Sequence, residues 1–149
     1  MVDSKNSKKV DDLNQALEAI HFGFRALTAH PDERLAQMGY SRVHHRVLYF
    51  IARNSACSVN ELLTVMGVSK QYLHRPLRQL AQAGYVAFKT DCTDRRVKRL
   101  SLTPRGGVLE FELSDDQRTR FECVFQQAGP RAEAGWRKVM RLLADSVKE

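Results

Sequence analysis

The fold is decided by residues 58–84, SVNELLTVMGVSKQYLHRPLRQLAQAG. Ser58 can cap a helix, and Glu61 can reach back to the backbone of Ser58 and complete a capping box. Gly67 can adopt the left-handed conformation that ends a helix, and Ser69 can cap the next one. Two short helices joined by a tight turn that contains glycine are typical of a helix-turn-helix.

The second helix of this pair has two different faces. Leu73, Leu77 and Leu80 lie at spacings of four and three, which predicts a buried stripe. The opposite face carries side chains that can donate hydrogen bonds: Gln71, His74, Arg75 and Arg78. Pro76 lies between them and removes a bond to the carbonyl of Tyr72, at a cost of about 3 kcal/mol unless the helix bends. We therefore expect a kink, which leaves open the base that each side chain would contact.

A β-hairpin is predicted after Gly84. Residues 85–90 and 97–102 have the composition of strands, and the polar residues 91–96 separate them. A hairpin that follows a helix-turn-helix is a wing.

A long helix is predicted after the hairpin. Thr103 followed by Pro104 is a strong start signal, because threonine caps well and proline is favoured at the first helical position. The helix extends to about Gln127, although Ser114 with Gln117 could mark a fresh cap inside it.

Both ends of the chain carry apolar stripes at helical spacing. The first predicted helix spans about residues 11–29 and ends at His30, Pro31 and Asp32, and a second spans residues 42–53. The last helix follows Gly129 and Pro130. The N-terminal stripe is Leu13, Leu17, Ile20, Phe24 and Leu27, and the C-terminal one is Trp136, Val139, Met140, Leu143 and Val147.

Most of the positive charge lies in one third of the chain. The net charge is +7, and between Ser58 and Arg105 nine basic and three acidic side chains differ by +6. A local excess of this kind suits a polyanion, because each neutralised phosphate releases counterions. The alternative is a solvated surface without a partner.

Other classes of protein are disfavoured. The 149 residues suit one compact domain, no apolar run reaches the roughly 18 residues of a membrane span, and the polar start is unlike a signal peptide, so we expect a cytoplasmic protein. The three cysteines have no metal-ligand spacing, and the adjacent His44 and His45, interpreted as surface or interface residues, do not converge on one metal. No phosphate loop or nucleophile motif indicates an enzyme, and no cofactor is expected.

Two stretches, HHRVLYFIARNSACSVNELLTVMGVSKQYLHRPLRQLAQAGYV (residues 44–86) and DCTDRRVKRLSLTPRG (residues 91–106), resemble the MarR family of transcriptional regulators. The most specific part is Asp94-Arg95-Arg96 with Leu102-Thr103 and Gly106. The resemblance implies a homodimer that binds palindromic DNA and responds to small aromatic or anionic ligands or to oxidants.

The expected architecture is mainly α with a small β-hairpin wing, in a single domain. Residues 1–39 form an N-terminal dimerisation helix, residues 40–102 the winged helix-turn-helix, and residues 103–149 the C-terminal dimerisation helices. Apolar stripes that a small winged domain cannot cover give dimerisation a physical motive. The alternative is that the terminal helices pack on their own domain.

The expected DNA contacts lie on the second helix of the helix-turn-helix and in the wing. Gln71 can pair with adenine and Arg75 with guanine, whereas Lys70 and Arg78 suit phosphates. Arg96 matches the family arginine that enters the minor groove, oriented by Asp94, and Arg95 could do the same or contact phosphate. The alternative is that Asp94 and Arg96 only hold the hairpin together. The full predicted set is Ser69, Lys70, Gln71, Tyr72, His74, Arg75, Arg78, Asp94, Arg95 and Arg96.

The family also implies an effector pocket near the second helix. The residues predicted to line it are Arg25, Tyr40, His44, His45 and Tyr49. An alternative function is a redox or small-molecule sensor in which DNA binding is secondary, because Cys92 lies beside Arg95 and Arg96, where positive charge would increase thiol reactivity.

Overall fold

The computed structural model describes residues 4–148. The helices and strands of these residues, in chain order, are α1 (Ser4–Gln37), α2 (Arg42–Arg53), β1 (Cys57–Ser58), α3 (Val59–Met66), α4 (Lys70–Gln82), β2 (Val86–Thr90), β3 (Lys98–Leu102), α5 (Pro104–Ala128) and α6 (Pro130–Asp145). The mainly helical composition with a small sheet confirms the predicted fold class.

The caps of the helix-turn-helix are as predicted. Ser58 Oγ accepts a hydrogen bond from the backbone N–H of Glu61 at 3.1 Å, and the Glu61 carboxylate accepts from the Ser58 N–H at 3.3 Å. Gly67 ends α3 with a φ of 66°, in the left-handed region. Ser69 Oγ then accepts from the Tyr72 N–H at 3.2 Å and starts α4. Local hydrogen bonds therefore mark where both helices begin and where α3 ends.

The wing is a hairpin of β2 and β3, and each strand begins one residue later than predicted. Val86 pairs with Leu102 and Thr90 with Lys98, in antiparallel register. The short strand β1 was not predicted. It pairs with the other side of β3, so the strand order is β1-β3-β2.

The core lies where α2, α3 and α4 pack against the sheet. The predicted stripe of Leu73, Leu77 and Leu80 is buried there, which confirms the inner face of α4. Among residues 4–148, the largest fully buried side chains are Leu35, Val47, Leu48, Ile51, Leu62, Leu73, Leu80, Leu100 and Leu113. Burial of this kind stabilises by roughly 1.5–3 kcal/mol per large side chain.

The predicted limits of the first helix were wrong. α1 spans Ser4–Gln37, so it includes residues before the predicted start at about residue 11 and continues through Pro31. Pro31 and Leu35 are both buried, so apolar burial offsets the lost hydrogen bond. Asp32 also holds the end of α1 to α2, since its carboxylate accepts from Arg42 Nε at 2.8 Å.

Pro76 is similarly buried within α4. The helix runs without interruption from Lys70 to Gln82. The proline thus contributes to the buried face with Leu77, and a bend of the helix axis at this point stays a prediction.

The start of α5 is as predicted. Thr103 Oγ1 accepts from the Gly106 N–H at 3.0 Å, and Pro104 is the first helical residue. The helix does not restart at Ser114, which is buried inside it.

The chain folds into two compact units, one ending at Ser114 and one beginning at Asp115. The second unit contains the end of α5 and all of α6. Within it, the ring of Trp136 contacts Phe121 at 5.2 Å and Phe125 at 5.3 Å between centroids. No residue of α6 is buried, so most of its apolar stripe is exposed.

Candidate nucleic-acid interface

The outer face of α4 is formed by the residues predicted for it. The inner face is held by Leu73, Pro76 and Leu77, and the cap at Ser69 defines the first turn. The predicted residues that are exposed on this helix are Lys70, Gln71, Tyr72, His74, Arg75 and Arg78. A rigid helix therefore presents donors and positive charge to one side.

Tyr72 has a second contact that the sequence did not predict. Its hydroxyl accepts a hydrogen bond from Arg46 Nη2 at 3.3 Å, so the first turn of α4 is connected to α2. Nearly half of the Tyr72 side chain remains exposed.

The turn of the wing is organised by the carboxylate of Asp91. Its Oδ2 accepts from the Thr93 hydroxyl at 2.7 Å, the Thr93 N–H at 3.1 Å and the Asp94 N–H at 3.0 Å. These bonds hold the pKa of Asp91 well below its usual range, and the bond from the Thr93 hydroxyl has the largest effect. The carboxylate is therefore charged at neutral pH and fixes the turn.

Asp94 and Arg96 form the pair expected from the sequence. Asp94 Oδ1 accepts from the backbone N–H of Arg96 at 3.0 Å and from its Nε at 3.2 Å. The Arg96 side chain is nevertheless 91% exposed. The guanidinium is thus oriented by a carboxylate but still open to a partner.

Of the nine basic side chains between Ser58 and Arg105, Arg99 and Arg105 form contacts that stabilise the fold. Arg105 donates to the Ala83 carbonyl at 2.7 Å and to the Tyr85 hydroxyl at 3.0 Å, and its guanidinium lies 4.4 Å from the centre of the Tyr85 ring. Arg105 therefore provides a hydrogen-bond donor for the backbone carbonyl at the C-terminal end of α4. Arg99 forms ion pairs with Asp91 and Glu61.

Gly106 permits the close approach of α5 to the sheet. A Cβ at this position would overlap the backbone carbonyl of Tyr85. Thr103 joins the same junction, because its hydroxyl donates to the Gly84 carbonyl at 2.6 Å.

The interpretation of His44 and His45 as surface or interface residues was wrong, because both are buried against other elements of the same chain. His44 Nδ1 accepts from the Ser41 N–H at 3.0 Å, so Nε2 carries the hydrogen and donates to Gln79 Oε1 at 2.7 Å. His44 also stacks on Tyr40, with ring centroids 4.4 Å apart. A polar contact therefore joins α2 to α4.

His45 makes the corresponding contact with α5. Its Nε2 lies 3.0 Å from Ser114 Oγ, and burial lowers the pKa of His45. Near it, Arg53 forms an ion pair with Glu110, whose side chain is almost fully buried. Patterns in sequence do not reveal such contacts, because the partners lie far apart in the chain.

Of the five predicted effector residues, Tyr40 and His44 are in ring contact, but the five do not line one common groove. A shallow groove of about 440 Å³ includes Tyr40, and burial raises the pKa of this tyrosine. The exposed residues Arg25 and Tyr49 do not line the groove. Its lining is Asp32, Tyr40, Ser41, Arg42, Val43, Arg46 and Tyr72.

The cysteines are free thiols. Cys57 is buried, which raises the pKa of its thiol, whereas Cys92 and Cys123 are exposed.

Among residues 4–148, no cluster of three potential ligands could hold a metal ion. In the same range, no helix is long and apolar enough to cross a membrane.

Comparison with known proteins identifies relatives. The model of the MarR family matches residues 38–97. The HTH-type transcriptional regulator PetP of Rhodobacter capsulatus is 42% identical over 135 residues, which cover 91% of this chain and 81% of the relative.

Solved structures share the fold. A MarR-family regulator from Silicibacter pomeroyi has a TM-score of 0.72 at 20% identity, with 89% of this chain and 90% of that chain covered. The S. aureus MepR–DNA complex has a TM-score of 0.73 at 14% identity, with 87% and 96% covered. Because the similarity to PetP extends over nine tenths of the chain and the family model matches its winged region, this chain belongs to the MarR family of transcriptional regulators.

Proposed function

We propose that this regulator binds palindromic operator DNA as a homodimer, with α4 in the major groove and the wing at the minor groove. The main observation behind this proposal is the geometry of Arg96. Asp94 orients the guanidinium, yet 91% of the Arg96 side chain is exposed. An arginine held in this way suits the negative potential of a narrow minor groove.

The major-groove part of the proposal rests on α4. Arg75 can bond two acceptors of guanine and Gln71 can bond adenine, whereas Lys70 and Arg78 suit phosphates. All four side chains are exposed on one helix whose other face is buried. The solved neighbour MepR was crystallised with DNA, which supports the same use of this fold.

The homodimer is supported by the apolar seam of α1. Val10, Leu13, Leu17, Ile20 and Phe24 are all exposed. They follow spacings of three and four, the pattern by which one helix packs against another. A twofold partner would bury the seam on both chains at once, so residues 1–39 are proposed as a dimerisation segment.

The C-terminal segment, residues 103–149, is proposed to take part as well. On α6, Val139, Leu142 and Leu143 are more than half exposed. Trp136 packs within its own unit on Phe121 and Phe125. The aromatic cluster would then support the apolar face that a partner covers.

A family of transcriptional regulators is not a family of enzymes, so the prediction that the chain is not an enzyme is confirmed. The cytoplasmic location stays a prediction.

Selection from a library of randomised duplexes tests the proposal. The purified protein should enrich an inverted repeat whose half-site centres lie about 10 base pairs apart. Lys138→Ala, which removes an exposed charge from α6, should enrich the same motif and serves as the control. Enrichment of no motif, or of a single unrepeated half-site, would overturn the proposal.

We further propose that a small aromatic anion modulates DNA binding from the groove beside Tyr40. Arg46 supplies positive charge there and also bonds Tyr72 of α4, whereas the charge of Arg42 is paired with Asp32 of the same groove. A bound carboxylate would compete for Arg46 and release the first turn of α4. Titration with benzoate should show binding that Arg46→Gln weakens and that Arg25→Gln leaves unchanged, since Arg25 does not line the groove.

The redox alternative has one favourable observation, the exposed thiol of Cys92 in the wing. If oxidation controls the protein, peroxide should weaken operator binding, and Cys92→Ser should abolish the effect while Cys123→Ser does not. An effect of peroxide that survives Cys92→Ser would exclude the wing thiol as the sensor.

A further inference from the structure

Arg99 lies in the basic wing, yet its side chain is turned toward acids. Only 33% of it is exposed, compared with 91% for Arg96. By charge alone, Arg99 would be counted among the residues that contact phosphate. Its bonds indicate a different use.

The guanidinium of Arg99 joins three segments. Its Nε donates to Asp91 Oδ1 at 3.1 Å, at the base of the wing turn. Its Nη1 donates to Glu61 Oε1 at 3.2 Å, in the first turn of α3, and lies 3.4 Å from the Ala56 carbonyl that precedes β1. This side chain thereby adds to the pairing of β1 with β3 in connecting the wing to the helix-turn-helix.

Both acids have a second structural contact. Glu61 uses its other oxygen in the capping box with Ser58. The other oxygen of Asp91 accepts from the Asp94 N–H, and Asp94 in turn holds Arg96. A continuous series of hydrogen bonds therefore runs from α3 through Arg99 to Arg96.

We infer that Arg99 is a positioning residue that fixes the wing relative to the helix-turn-helix, and so sets the register between the contacts of Arg96 and those of α4. The inference rests on the proposed DNA-binding function. A planar guanidinium can bond two carboxylates in fixed directions, which a lysine ammonium does not reproduce.

The opposing hypothesis, that Arg99 contacts phosphate, differs in measurable ways. Loss of a phosphate contact lowers the salt dependence of binding by about one unit per subunit and affects all sequences alike. Loss of a positioning residue instead removes the dependence on flanking sequence that Arg96 confers and leaves the salt dependence nearly unchanged.

The experiment compares Arg99→Gln, Arg99→Lys and Glu61→Gln with Arg95→Gln as the matched control. Arg95 is exposed in the turn of the wing, next to the strand that carries Arg99, so its loss removes the same charge from the wing. Glu61→Gln is informative because it removes a negative charge and retains a residue that can complete the capping box. Affinity is measured at several salt concentrations on operators with A·T-rich or G·C-rich flanks.

Arg99→Gln and Arg99→Lys should both reduce the preference for A·T-rich flanks by about tenfold. Glu61→Gln should also reduce the preference for A·T-rich flanks. The loss of its negative charge alone would instead strengthen binding to DNA. Arg99→Gln combined with Arg96→Ala should be no worse than Arg96→Ala alone, because the two act through one contact. Amide exchange at Thr93 and Asp94 in the free protein should quicken in the Arg99 variants and not in Arg95→Gln.

A lower salt slope for Arg99→Gln with an unchanged flank preference would overturn the inference, as would full rescue by Arg99→Lys. Failure of the proposed function gives a different result, since the unaltered protein would then show no sequence preference on any duplex.

Discussion

His45 Nε2 lies 3.0 Å from Ser114 Oγ, so a buried hydrogen bond joins α2 to the middle of α5. Burial is the largest influence on this histidine and lowers its pKa below the ordinary value of 6.5. The charges that act on it are Glu110 and Asp32, which raise the pKa, and Arg46 and Arg53, which lower it. The neutral imidazole is therefore the form that the folded state favours.

We predict that acidification destabilises the protein through His45. Below pH 6.5 the unfolded chain takes up a proton at this residue that the folded chain resists, so the free energy of unfolding falls as the pH drops through 6.5 toward the lower folded pKa. Above pH 6.5 both states are neutral and the effect vanishes. Urea unfolding between pH 5 and 8 should show this slope, and His45→Gln should reduce it. The control His74→Gln, on the exposed face of α4, should keep it.

Gly106 and Gly107 provide a matched pair for the junction of α5 with the sheet. Gly106→Ala should destabilise by about 1–3 kcal/mol, because the new methyl group would overlap the Tyr85 carbonyl and α5 must shift. Gly107→Ala has no atom within 4 Å of its added methyl group. It should be neutral or stabilise by up to about 1 kcal/mol, as expected within a helix. If both substitutions change the free energy of unfolding in urea equally, Gly106 does not lie against the Tyr85 carbonyl as described.

The dimer is tested by sedimentation at micromolar concentration. The expected mass is about 34 kDa, twice that of the 17.0 kDa chain. Leu17→Glu in α1 and Leu143→Glu in α6 should each dissociate or unfold it, because both place charge on an apolar seam. Val65→Glu, at a similarly exposed apolar residue of α3, should remain dimeric. A monomer for the unaltered protein would exclude the homodimer.

Base recognition and phosphate contact leave separate signatures on α4. Arg75→Ala should cost about 1–3 kcal/mol on the true operator and relax the preference at one position of each half-site. Lys70→Ala should weaken all duplexes alike and lower the salt slope by about one unit per subunit. If Arg75→Ala leaves the ratio of operator to random duplex unchanged, Arg75 belongs to a basic surface only.

The parts of the fold that the sequence predicted are those encoded by neighbours in the chain. Each helix cap acts within a single helical turn, and the structure has the predicted caps at Ser58 with Glu61, at Gly67 and at Ser69. The pair of Asp94 with Arg96 is also local, which is why its geometry could be predicted. Their roles on DNA stay predictions.

The missed features depend on partners distant in sequence. Pro31 predicts the end of a helix because the cost of a proline inside a helix is local, whereas the packing that buries Pro31 and Leu35 is not visible in the sequence. The sequence indicates surface or interface positions for His44 and His45, because it does not show that Gln79 and Ser114 are their partners. A basic segment likewise gives no sign that Arg99 faces two acids.

Strand β1 closes the winged region into a loop, since Cys57 pairs with Leu100 across α3, α4 and β2. The hairpin of β2 and β3 is local and can form early in folding, whereas β1 can join only after the intervening helices have collapsed. The Ala56 N–H donates to the Leu100 carbonyl at 2.9 Å, at the closing point of the loop. Because this bond lies where the loop closes, we expect exchange of the Ala56 amide to report the separation of β1 from β3.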